Sequence, residues 1–369
     1  MNDWLWVSTR KGLFGVAYRG GSWRIERTDF LGDNVTLTLT DHRCGRTYAA
    51  LDHGHFGVKL HRFDADGWRE IASPVYPPRP PGLEENDMWG RPIPWSTQKI
   101  WALQAGGVDV PGEVWCGTIP GGVFRSPDHG ASWQLVHSLW EHPMRPRWMG
   151  GGMDLPGVHS ILVDPRDSRC IWVAVSTGGI WYTADAGESW SQRGDGMRAE
   201  HMPVESMHDP IAQDVHCLAQ CAAAPHRMWV QHHNGIFVSS DEGRHFTELT
   251  DVAPSAFGFP VVVHPVDPDT AWFVPEIKDE KRIPRDGRLV VNRTRDGGRS
   301  FQTLREGLPQ QHAYDVVYRH ALAIDDTGTR LAFGSTTGNL WVSDDQGDRW
   351  INVAHTLPPI YAVRFSERS

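Results

Sequence analysis

The sequence predicts an all-β fold, a seven-bladed β-propeller of four-stranded antiparallel blades, and three observations carry that expectation. One turn motif recurs five times at near-constant spacing. Short runs rich in Val, Ile and Leu precede each copy, as strands covered on both faces would. The 369 residues divide into seven units of about 53, a length that suits one four-stranded blade.

The five copies are Ser126-Pro-Asp128-His-Gly130-Ala-Ser132-Trp133, Thr183-Ala-Asp185-Ala-Gly187-Glu-Ser189-Trp190, Ser239-Ser-Asp241-Glu-Gly243-Arg-His245-Phe246, Thr294-Arg-Asp296-Gly-Gly298-Arg-Ser300-Phe301 and Ser343-Asp-Asp345-Gln-Gly347-Asp-Arg349-Trp350. Their starts lie 57, 56, 55 and 49 residues apart. An aspartate accepting backbone N–H groups closes a turn. The glycine supplies a positive φ, and the terminal ring buries a large apolar surface between neighbouring sheets. These aspartates are therefore read as structural. The motif resembles the Asp-box, the bacterial neuraminidase repeat (BNR) of sialidases, xyloglucan hydrolases, sortilin-type receptors and photosystem assembly factors. That resemblance implies a propeller whose ligand face lies opposite the box turns.

Two degenerate copies complete the count. Gly12-Leu13-Phe14 through Ser22-Trp23 aligns without a gap onto Gly122-Val123-Phe124 through Ser132-Trp133, with Tyr18 where the aspartate would be. Leu60 through Trp68 is a shortened second copy. The clearest blade, 158–193, reads as an inner strand from His159, a second strand Ile171–Val175, a third from Ile180 to Thr183, and a short outer strand after the box. Blade one has three strands at the N-terminus. The last apolar run, 358–366, is expected to supply its inner strand and close the ring. The whole of 1–369 is thus expected to be one domain, with lid-like insertions at 74–96, 139–157 and 193–213.

Composition narrows the partners. Asp and Glu number 45 against 36 Lys and Arg, a net charge of −9, and there is no basic run. Nucleic acid and anionic membrane surfaces are poor partners for such a chain. Mean hydropathy is −0.43, and no uncharged apolar run approaches the roughly 18 residues of a spanning helix. The N-terminus lacks a basic segment followed by an apolar one, so a cytoplasmic location is expected. The five cysteines, Cys44, Cys116, Cys170, Cys217 and Cys221, read as reduced, mostly buried small hydrophobes.

The ligand face should be built by loops entering the inner strands and by turns between second and third strands. These segments carry Arg10, Asp52, His53, His55, His159, Asp214, His216, His233, Phe259, Glu276, Lys278, Asp315 and Arg319, and the insertions add Arg147 and Trp148. Three chemistries follow. Glycosidic hydrolysis needs two carboxyl groups; Glu276 and Asp214 are the acid/base candidates, with His159 and His216 as proton carriers. Arg10, Arg147, Arg319 and Lys278 would contact an anionic ligand, and Trp148 and Phe259 a sugar face. Alternatively, His53-x-His55 on an extended segment, with His233, could bind a divalent metal ion for lyase or hydrolase chemistry. Thirdly, the propeller could be a non-catalytic binding module. A small-molecule or carbohydrate ligand is expected in either catalytic case. The resemblance to sialidases is incomplete: the expected N-terminal Arg-Ile-Pro is absent, Arg282-Ile283-Pro284 occurs late, and seven blades stand in place of six.

Overall fold

A computed structural model describes residues 3–87, 89–151 and 153–366. They form seven four-stranded antiparallel sheets, the expected seven-bladed propeller. Blade one takes Trp4–Thr9, Gly12–Arg19 and Ser22–Asp29 from the N-terminus and its inner strand, Ile360–Ser366, from the C-terminus. Val7 faces Val363 and Leu5 faces Phe365 in that closing ladder. Leu5, Val7, Val363 and Phe365 are buried in one cluster with Leu340 and Val342 of blade seven. Closure therefore rests on a hydrogen-bonded ladder and on side-chain packing together.

Contacts divide the chain into two units. The first comprises Met1–Gly45 with His216–Ser369, and the second Arg46–Val215. In the first, one apolar cluster joins blades six and seven through Trp272, Leu289, Leu322, Phe333, Trp341 and Trp350. In the second, Trp115, Val158, Val173, Trp181 and Trp190 are packed into one core between blades three and four.

The five repeated turns share one hydrogen-bond pattern. In the second copy Thr183 Oγ1 accepts from Gly187 N at 2.9 Å and donates to Asp185 Oδ1, which accepts from Ser189 N at 2.9 Å. Equivalent bonds recur from Ser126, Ser239, Thr294 and Ser343, all buried. The five glycines have φ between +75° and +92°, as a residue without Cβ permits. The residue before each glycine is also left-handed, with φ from +58° to +75°. Its identity varies among His129, Ala186, Glu242, Gly297 and Gln346, so composition carries no sign of it. Trp190, Phe246 and Trp350 are buried as expected, whereas Trp133 and Phe301 stay partly exposed.

Four of the 18 tryptophans share one explanation. Trp115, Trp172, Trp229 and Trp272 occupy the second strands of blades three to six and are all buried. Each pairs across the sheet with the residue just before the box: Arg125, Tyr182, Val238 and Arg293. The indole N–H groups of Trp115, Trp229 and Trp272 donate to Glu113, Pro268 O and Gln346 O. Burying one such ring is worth about 4–6 kcal/mol as an upper figure.

Candidate active site

The first unit brings together two carboxyl groups and a set of rings. Glu276 follows the second strand of blade six, Ala271–Pro275, and its N–H is tied to Phe257 O at 2.8 Å. The residue is 1% exposed, and neither carboxyl oxygen completes a hydrogen bond. Burial is the main force lifting its pKa to about 8, and the charge of Asp315 adds to it. The Val317 N–H, second in size to burial though without a bond of good geometry, and Arg282 pull the other way. Glu276 is therefore a neutral carboxylic acid at pH 7.

Asp315, on the loop entering blade seven, is held very differently. Its Oδ1 accepts from Ser335 Oγ at 2.7 Å, Asn339 Nδ2 at 2.8 Å and Thr337 Oγ1. All three donors come from the turn between the second and third strands of blade seven, Leu331–Gly334 and Leu340–Ser343. Two neighbouring acids thus sit in contrasting surroundings, one without hydrogen bonds and one with three.

Blades five and six add an aromatic wall. His216, on the inner strand Val215–Cys221, donates from Nδ1 to Gly258 O at 2.7 Å, which puts the lone pair of the neutral ring on Nε2. Phe259 stacks on it at 4.8 Å and 17°. Phe257 and His233 meet it edge-on at 5.7 and 5.6 Å. The Arg282 guanidinium lies 5.3 Å from the Phe259 ring, and Tyr318 packs on that ring's edge. Arg319 Nε donates to His216 O at 2.7 Å.

The remaining expected site residues are each held by local contacts. Lys278 is exposed and pairs with Glu280 at 3.0 Å. Arg10 is exposed, its backbone N–H bound to Pro359 O. In the second unit Asp214 is 7% exposed and packs beside Gly151 and Thr177. His159 is buried, bonded through Nδ1 to Ser160 Oγ and edge-on to Trp101. Trp148 is buried against Trp181 rather than presented to solvent. Arg147 pairs with Asp209, Arg145 with Glu85, and Arg91 with Asp154 at 3.1 Å. These pairs fasten the three insertions to one another, and the first two insertions line clefts of about 430 and 610 Å³. The premise for His53 and His55 needs correction. Gly54–Phe56 is a 3-10 turn and His53 has φ −95° and ψ 18°, so the alternation of an extended segment does not apply. His55 instead lies against the Phe56 ring at 3.8 Å.

The sequence places Asp315 on this face but does not join it to Glu276, and it does not single out Arg282 as a site residue. The polar turn Ser335-Thr-Thr337-Gly-Asn339 was the available signal for Asp315, since so many hydroxyls beside a strand end need an acceptor.

No family model matches the chain. A segment of 79 residues is 33% identical to an oligoxyloglucan-reducing end-specific xyloglucanase of Emericella nidulans; it covers 21% of this chain and 9% of that protein. The chain therefore spans under a tenth of this curated relative. Among solved structures, an ancestral GH74 enzyme superposes with a TM-score of 0.56 at 13% identity, over 90% of this chain and 38% of the other. YCF48 bound to D1 peptide superposes with a TM-score of 0.55 at 12% identity, over 98% and 88%. At such identities the likeness establishes the propeller fold.

Proposed function

We propose that the chain is a glycoside-hydrolase-like enzyme of the Asp-box (BNR) type, with Glu276 as general acid and Asp315 as its partner carboxylate. The observation that carries this reading is the contrast between the two acids: a buried, unbonded Glu276 poised at about pH 8 beside an Asp315 gripped by three donors. Glycosidic cleavage needs that division of labour. Glu276 would give its proton to the departing glycosidic oxygen. Asp315 would either activate water or attack the anomeric carbon, and the configuration of the first product distinguishes these. The rings of Phe257, Phe259 and Tyr318 supply apolar surface for a sugar face. The short match to a xyloglucanase supports the same class.

The test is turnover of neutral and acidic aryl glycosides and oligosaccharides. Glu276→Gln should lower kcat by about 10²–10⁴, the usual worth of a positioned acid, while leaving ligand affinity within a few-fold. Undiminished turnover in that variant overturns the assignment. A second reading rests on His216 and His233, whose rings lie 5.6 Å apart and could share a divalent ion. Elemental analysis before and after chelation decides it. A stoichiometric metal whose removal abolishes turnover favours metal-assisted chemistry.

A further inference from the structure

The inner strand of blade one carries a cation that no carboxylate among the described residues neutralises. Arg364 lies on Ile360–Ser366 and is part-buried. The surrounding protein is dense enough that desolvation pulls its pKa below the ordinary guanidinium value. Its hydrogen bonds among the described residues run from Nη1 to two uncharged acceptors, His320 O at 3.1 Å and Val363 O at 2.8 Å. These bonds hold one corner of the fork. The edge made by Nε and Nη2 is left out of them, and that edge is the one matching both oxygens of a carboxylate or phosphate.

Its surroundings adjoin the strand that carries His216. Cys217, next to His216 on the inner strand of blade five, interacts electrostatically with Arg364. The Cys217 thiol contacts Arg319 O at 3.8 Å, and Arg319 in turn bonds His216 O. Arg282 lies over Phe259 on the same aromatic wall. Arg282 already has a counter-charge in Asp279, whose Oδ1 accepts from its Nε at 3.0 Å and from its Nη2, so the open guanidinium edge is that of Arg364. A desolvated cation is costly until an anion meets it.

We infer that Arg364 binds an oxyanion carried by the ligand, so that the substrate class is an acidic sugar, a uronate or a sugar phosphate, rather than a neutral glycan. The sugar half of this statement rests on the hydrolase reading; the anion half does not. The experiment is calorimetric titration of the full chain at fixed ionic strength with glucuronate, glucose 6-phosphate and glucose. The wild type should bind at least one acidic probe about tenfold or more tightly than glucose, and the tighter of the two identifies the anion. Arg364→Gln should lose about tenfold in that affinity. Arg364→Lys should recover only part, because an ammonium lacks the fork. Glu276→Gln should keep the acidic preference, so a failure of the hydrolase reading leaves this result standing and the reverse also holds. Should Arg364→Gln not fold, inorganic phosphate must compete with the acidic probe on the wild type. Equal binding of glucose, no binding of either acidic probe, an Arg364→Gln variant with unchanged affinity, or no competition by phosphate overturns the inference.

Discussion

At the scale of single residues, Glu276 couples function to stability. Its pKa rises from 4.5 to about 8 on folding. Below pH 4.5 the group is protonated in both states and has no effect. Between pH 4.5 and 8 the unfolded chain releases a proton that the folded one keeps, so folding stability falls as pH rises. The full cost is on the order of a few kcal/mol and is reached above pH 8. Glu276→Gln removes it. That variant should therefore melt higher than the wild type at pH 8.5 and about equal to it at pH 4, by thermal denaturation followed by tryptophan fluorescence. For the same reason wild-type turnover should decline through an apparent pKa near 8, where the acid loses its proton. A rate that is flat to pH 9.5 would remove Glu276 from that role.

At the scale of elements, the repeated hairpin turn is held from its first residue as much as from its aspartate. Thr183 Oγ1 is buried and accepts the Gly187 N–H, so Thr183→Val leaves that donor without a partner. We expect a loss of about 1–3 kcal/mol, read by urea denaturation. Asp185 is mostly solvent-exposed, and its hydrogen bonds to Ser189 and Thr183 hold its carboxyl down at about 2. Its contribution is present above the unfolded value of 3.8 and disappears as pH falls towards 2. Asp185→Asn should therefore cost less than Thr183→Val at pH 7. The reverse order would place the weight of the turn on the aspartate.

At the scale of the whole molecule, closure by the C-terminal strand is the feature most open to test. Removing the residues after Leu357 takes away Ile360, Val363 and Phe365, all buried against blades one and seven, and exposes the edge of Trp4–Thr9. The truncated chain should show no cooperative thermal transition by calorimetry and should aggregate. A normal melt would mean that the ring does not depend on this ladder.

How much was legible beforehand differs between frame and site. Box turns at 126, 183, 239, 294 and 343 marked one strand-to-strand connection in each of five blades, and the orphan apolar run near residue 360 marked the closing strand. The recurrence of Trp115, Trp172 and Trp229 at intervals of 57 residues was an equally readable sign of the second strands. His53-x-His55 misled because period-two reasoning holds only in extended backbone, and Gly54 allows the chain to coil there. Trp148 and Arg147 read from the sequence as ligand contacts; Trp148 packs on Trp181, Arg147 pairs with Asp209, and both line the cleft of about 610 Å³.

Spacing and local hydrogen-bond chemistry, both properties of a linear string, were enough to determine blade number, turn positions and ring closure, because each blade repeats the same short-range solution. Which acids become neighbours, which of them keeps its proton, and which arginine meets no carboxylate among the described residues were decided only by the tertiary structure. Burial and Coulomb interactions act through space, and Glu276, Asp315 and Arg364 meet their surroundings across strands that the chain order keeps far apart.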